Sequence, residues 1–167
     1  MKRTVLTFII ILCSLIPLSA QRGEKSAGIR AGYNSCTESA VAGIYFQYRF
    51  SEHIRIAPDI DYMFKRNNVD AFAFDCNMHF PFALGTSGIN LYPIGGISYS
   101  CWNIRHISPD LNNTDDVTTR SNKFGLNAGG GLEWYATPTL KVSAEGKYSW
   151  IDDFDSGVFS LSIGYIF

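Results

Sequence analysis

His106 and Ser108 stand two residues apart, a spacing at which an imidazole could activate a hydroxyl if an acid oriented the ring. Pro109 follows the serine at once, and nothing fixes Asp110, Asp115 or Asp116 beside the histidine. The group therefore reads as part of a polar loop. The same aspartates match no ordered calcium loop. His53, His79 and His106 fall on different segments, without a Cys or His at metal-ligand spacing. No metal and no cofactor are expected. Fifteen glycines include no phosphate-cradling loop between a strand and a helix.

A second set of side chains is more orderly. Arg30, Arg49, Arg55, Asp59, Asp61, Asp75, Glu133, Lys141, Glu145 and Lys147 lie on one face of segments whose other face is apolar. Such a division needs β-strands, because strand side chains alternate sides with a period of two. Eight segments carry it: residues 25–34, 41–50, 53–65, 69–80, 88–102, 122–135, 140–150 and 159–167. The last sets Phe159, Leu161, Ile163, Tyr165 and Phe167 against Ser160, Ser162 and Gly164. The fifth is the least regular. Its Pro93 cannot donate to a ladder, and Gly95-Gly96 invites a bend or bulge.

The first twenty residues have a basic start (Lys2, Arg3), an apolar run and a small Ala20 before Gln21, which is the pattern of a secretory signal peptide. The expected organisation is a signal peptide over 1–20 and one domain over 21–167. Loss of the peptide takes two cations and no acid, moving the formal charge from −1 to −3. Nothing basic is left to suit nucleic acid. Cys36, Cys76 and Cys101 remain, an odd number. A bridge between Cys36 and Cys101 is conceivable in an oxidising envelope, but three separate thiols are expected.

Apolar side chains all outward and charges all inward suit a wall with lipid outside. The expected fold is all-β, an eight-stranded antiparallel up-and-down transmembrane β-barrel after a cleaved signal peptide. A soluble barrel of the lipocalin kind shares the strand count but would face its apolar side inward. Eight strands leave an interior that side chains can fill, so the lumen charges should bridge one another. Arg30, near mid-strand, should meet Glu145, Asp59 or Asp75. With the N-terminus on the periplasmic side, turns at 51–52, 81–87 and 136–139 face the periplasm, the second of them longer than the barrel pattern leads one to expect. Loops at 35–40, 66–68, 103–121 and 151–156 then face outward, and 103–121 is the longest.

The signal peptide, the eight alternating strands and a terminal strand with Tyr165 and a final Phe167 resemble the small outer-membrane β-barrel family of the OmpA/OmpX kind. The strand with Leu91-Tyr92-Pro93 and Gly95-Gly96 is similar to Bacteroidetes-type porin-family members. The resemblance covers the whole of residues 21–167. It implies a Gram-negative outer membrane, contact with its lipid and lipopolysaccharide, and a terminal strand read by the barrel-assembly machinery through Phe159, Leu161, Ile163, Tyr165 and Phe167. It supplies no ligand residues, since fold alone does not give function.

The function expected is non-enzymatic: a monomeric barrel with a structural or surface-interaction role, any extracellular ligand meeting loop 103–121. The alternative is a narrow channel for ions or small solutes through the cluster of Arg30, Asp59, Asp61, Asp75, Glu145 and Lys147. A remote third is a lipid-modifying enzyme using His106 and Ser108, the pair that deacylase barrels place in a catalytic set.

Overall fold

The computed structural model describes residues 23–66, 68–85, 88–106, 117–152 and 154–167. Its strands are β1 (Lys25–Asn34), β2 (Ser39–Ser51), β3 (Ile54–Arg66), β4 (Val69–His79), β5 (Phe82–Ala83), β6 (Ile89–His106), β7 (Val117–Thr137), β8 (Leu140–Ile151) and β9 (Ser156–Ile166). All pairings are antiparallel. The order runs β4, β3, β2, β1, β9, β8, β7, β6, and β4 pairs with β6 in turn. Eight long strands thus close into a barrel, and β5 is a short strip laid on Leu91 and Asn90 of β6.

The period of two explains both faces. Ile29, Ile44, Ile60, Phe74, Leu126, Trp150, Leu161 and Ile163 point out and are exposed. Arg30, Asp59, Asp75, Asn127, Glu145 and Ser162, one position away from an outward neighbour in each strand, are buried. Phe159, Tyr165 and Phe167 share the outward face of the final strand region. An exposed apolar surface this continuous is what a hydrocarbon environment requires. The arrangement is the inverse of a soluble barrel.

Several expected details differ. The wide loop expected over 103–121 is narrower, because β6 continues to His106 and β7 begins at Val117. Residues 103–106 and 117–121, polar apart from Ile104 and Val117, keep an extended, paired backbone without an apolar face, which hydrophobic periodicity does not detect. Residues 107–116, Ser108 and the three loop aspartates among them, lie outside the described residues, as do the first 22. Of the bend or bulge that Gly95-Gly96 invites, no bulge forms. The β6–β7 register runs unbroken from Ile89↔Trp134 to His106↔Val117, with Pro93 opposite Gly130. The turn at 81–87 is long because β5 folds back onto β6 within it. At the β3–β4 turn, Asn68 takes a left-handed φ of 64°, which asparagine tolerates better than most residues.

Two glycines show how the wall makes room for the lumen. A Cβ on Gly131 would sit 2.5 Å from the Tyr92 ring, whereas one on Gly146, on the outer face, would meet nothing within 4 Å. Gly131→Val should therefore lower stability by about 1–3 kcal/mol through overpacking, and Gly146→Ala should lower it not at all. Urea unfolding of the vesicle-inserted barrel, followed by tryptophan fluorescence, checks the pair; equal midpoints for both variants would refute the packing account.

Candidate functional site

The lumen is built in layers. The four connections β1–β2, β3–β4, β6–β7 and β8–β9 define a loop end, and the opposite rim is the turn end.

Nearest the turn end, strands β2, β3, β7 and β8 send Arg49, Arg55, Glu133, Tyr135 and Lys141 inward, with Glu24 just before β1. Arg55 Nη1 donates to Glu133 Oε2 at 2.6 Å, and its Nη2 reaches His79 Nδ1 at 3.2 Å. With the guanidinium as donor, His79 Nδ1 is the acceptor and bears no proton. Lys141 donates to Gln47 and stands 3.6 Å from Glu24 and 3.8 Å from Glu133. Arg49 donates to Tyr135 Oη at 2.7 Å, and that hydroxyl donates to Glu24 at 3.0 Å. Three cations face two carboxylates here.

Two tyrosines divide this layer from the next. The Tyr45 hydroxyl end fills the space beside Gly28 and Gly164, where any side chain would collide with it. Tyr92 is fully buried, stacks on His79 with ring centres 4.8 Å apart, and lies 5.0 Å beneath the Arg55 guanidinium carbon. Its hydroxyl donates to Glu145 Oε1 at 2.8 Å on the far side.

The middle layer holds the six lumen residues singled out from sequence. Arg30 Nε donates to Asp61 Oδ1 at 2.6 Å, Arg30 Nη2 contacts Asp59 and Asp61, and Nη1 is 3.6 Å from Glu145. Asp75, offered above as a partner for Arg30, is instead held by Lys147. The same ammonium lies 3.8 Å from Asp59 and 4.0 Å from Asp61. Carboxylate oxygens of Asp59, Asp61 and Asp75 gather within 4.8 Å of one another, close enough to share a metal ion. Lys147 Nζ contacts Asp75 and lies within 4.0 Å of the other two. Its flexible stem reaches from β8, so an ammonium serves as the counter-ion. The layer has four acids and two cations, the reverse of the turn-end imbalance.

Above it runs a neutral ladder. Asn77 donates to Asp59 at 3.0 Å, Asn127 to Asn77 at 3.1 Å, and Ser149 to Asn127 at 2.7 Å. The loop end is then closed by an apolar plug of Val41, Met63, Ala71, Ala73 and Trp102, with Val69 and Phe154 against it. Trp102 stacks on Phe154 at 4.3 Å and donates its indole N–H to Ser100 at 2.7 Å. The sequence reading missed this plug and the tyrosine partition. Both could have been found by asking which large apolar residues, such as Met63, Tyr92 and Trp102, fall at inward positions of the alternation.

The remaining sequence candidates disperse. His106 ends β6, and Ser108 lies outside the described residues. Cys36, Cys76 and Cys101 are all free, so the conceivable bridge between Cys36 and Cys101 is not formed.

A family model described as outer membrane protein β-barrel domain matches residues 9–167. The fold is similar to the N-terminal barrel of OprF from Pseudomonas aeruginosa, at 16% identity and TM-score 0.70, over 88% of this chain and 98% of that one. It is similar to Neisserial surface protein A at 17% identity and TM-score 0.66, over 87% and 97%. It also resembles Ail, the attachment invasion locus protein of Yersinia pestis, at 17% identity and TM-score 0.60, over 88% and 100%. At these identities the likeness is one of fold. No curated protein matches the chain in sequence.

Because Lys147 is the close counter-charge of buried Asp75 and lies within 4.0 Å of Asp59 and Asp61, Lys147→Met should cost about 3–5 kcal/mol, the scale of a broken buried ion pair. Asp75→Asn added to it should restore part of that loss. Urea midpoints across the four-membered mutant cycle check the coupling, and additive effects would show that the two side chains act independently.

Proposed function

This chain belongs to the outer membrane protein β-barrel domain family, and from that premise we propose that it is a non-enzymatic surface barrel. Its role is structural or one of surface interaction, exerted through the loop end. The observation that carries this reading is the filled lumen. Paired ions, a tyrosine partition, an amide ladder and an apolar plug follow one another along the axis, leaving the loops as the accessible polar chemistry. Buried charges that are paired and hydrogen-bonded serve the interior itself.

In this reading the loop end faces the outside of the cell and the turn end the periplasm. The barrel is a monomer in outer-membrane lipid beside lipopolysaccharide, its mature part begins after a signal peptide over 1–20, and assembly machinery reads Phe159, Leu161, Ile163, Tyr165 and Phe167. One fold neighbour agrees with a surface role: Ail is named for attachment and invasion, and a second structure of it holds the heparin analogue sucrose octasulfate. A narrow cation path is the second reading, favoured by the excess of acids over cations around Arg30 and Lys147.

Single-channel recording in a planar bilayer tests the choice. The refolded barrel should be silent; discrete openings that change in an Arg30→Ala, Glu145→Ala variant would replace the surface reading with the channel.

Cys36 tests the orientation. It is an exposed thiol in the β1–β2 connection, held above the ordinary thiol range by partial burial and by the Asp155 carboxylate. A raised pKa means less thiolate at a given pH, and the thiolate is the nucleophile. A membrane-impermeant maleimide added to intact cells should label Cys36, more slowly than a free thiol and faster as pH rises. Cys36→Ser should abolish the label, whereas labelling only after cell lysis would invert the orientation.

A further inference from the structure

The β2–β3 ladder is interrupted inside the wall. It pairs Tyr45 with Asp59 and Tyr48 with Ile56, but between them Phe46 and Gln47 form no pair with Pro58 and Ala57. Proline is the cause. In an antiparallel ladder each residue turns its N–H and C=O to one side, and its neighbours turn theirs to the other. Arg49 donates its backbone N–H to Glu24, which leads into β1, so the odd-numbered residues of β2 face β1 and Phe46 faces β3. The donor due to meet the Phe46 carbonyl is therefore the backbone nitrogen of Pro58, which carries no hydrogen. No other hydrogen bond among the described residues replaces it.

This carbonyl lies below the reach of water. Tyr48 and Phe50, whose rings meet edge to face at 4.7 Å, mark the aromatic girdle at the turn end. The row of Phe46 and Pro58 is two residues deeper than Tyr48, about 7 Å of strand. Over the break, on the lipid-facing wall, lies a groove of about 740 Å³ bounded by Ala27, Ile44, Phe46, Pro58, Ile60 and Phe74. The Phe46 ring sits 6.4 Å from that of Phe167, on the far side of β1 from Pro58, which leaves Ala27 and Pro58 as the floor. A buried water needs about two to four polar partners, and these side chains offer none. A lone acceptor in an apolar groove calls instead for a donor carried on an apolar chain.

We propose that this groove binds a membrane lipid whose acyl chain carries a hydroxyl near its head, the hydroxyl donating to the Phe46 carbonyl. The groove is continuous with a wall that hydrocarbon already covers, so its occupant is lipid, and the one polar atom within it selects which lipid. A diester phospholipid has only acceptor oxygens at the head of its chains and leaves the carbonyl unmet. A hydroxyl is small and rotates to suit its acceptor, whereas an amide N–H is fixed by the groups on either side of it. The site lies on the wall, away from the loop end, and is independent of the role the loops play.

The test uses the mature barrel in nanodiscs holding equal parts of two phosphatidylcholines that differ only in a β-hydroxyl on the acyl chain. Native mass spectrometry of the released barrel should find the hydroxylated lipid retained about tenfold over its parent, the scale of one hydrogen bond made away from water. The isotopically labelled Phe46 carbonyl carbon should move downfield in the hydroxylated lipid and stay in place in the parent. Pro58→Ala returns an N–H to the ladder and should abolish both effects. Ala27→Leu fills the groove, leaves the ladder alone, and should abolish the preference as well. Equal retention of the two lipids, or a preference that survives in both variants, would overturn the proposal. So would an amide-bearing lipid without the hydroxyl that is retained as strongly as the hydroxylated one.

Discussion

A backbone crossing hydrocarbon has no water to pair with, so every N–H and C=O within it must find a partner in the protein. The pairing of β1 with β9 and of β4 with β6 answers that demand by leaving no edge along the wall. The remaining architecture descends from this closure. A closed sheet has one outer and one inner face, and alternation assigns each residue to one of them. Outward positions must then be apolar, which leaves the inner face as the place for charge. Pro58 and Pro93 stand on the wall at the limit of what closure tolerates, each removing one backbone donor from a ladder.

The narrowness of an eight-stranded barrel sets the second constraint. Charges brought together in so small a section cannot all keep a water shell, so each must meet a counter-charge or a hydrogen bond. The inner face answers with reach as well as sign. Lys147 crosses from β8 to aspartates on β3 and β4, and Arg55 crosses from β3 to Glu133 on β7. Room for the large side chains comes from glycines on neighbouring strands, Gly28 directly opposite Tyr45 and Gly131 directly opposite Tyr92 in the ladder. Tyr45 lies over Gly28 and Gly164, and Tyr92 over Gly131, so inward glycines and inward tyrosines form one packing device.

The sequence makes the fold legible because its signal is repeated in every strand. The boundaries of β1 and the facing of Phe72, Phe74 and Asp75 on β4 need only the period of two. Cross-lumen partners are less legible. Asp59, Asp61 and Asp75 all lie inward, but whether Arg30 or Lys147 takes Asp75 depends on strand tilt and stagger, which alternation does not encode. The apolar plug is hidden for a different reason: Val41, Met63 and Trp102 occupy inward positions where the barrel pattern leads one to look for polarity. The length of β6 and β7 is hidden because residues above the membrane have no reason to alternate in hydrophobicity.

That last point bears on function. Inside the membrane the wall leaves little freedom, since any unpaired strand there would be too costly. Beyond the membrane, water satisfies an unpaired edge, and a hairpin can outgrow its neighbours without penalty. The β6–β7 hairpin uses that freedom, its pairing running on to His106↔Val117, on a barrel whose lumen is lined by paired charges. A closed lumen and an asymmetric loop end thus belong to one argument. The same closure that leaves no edge along the wall leaves the loop end as the part of the chain that is free to vary.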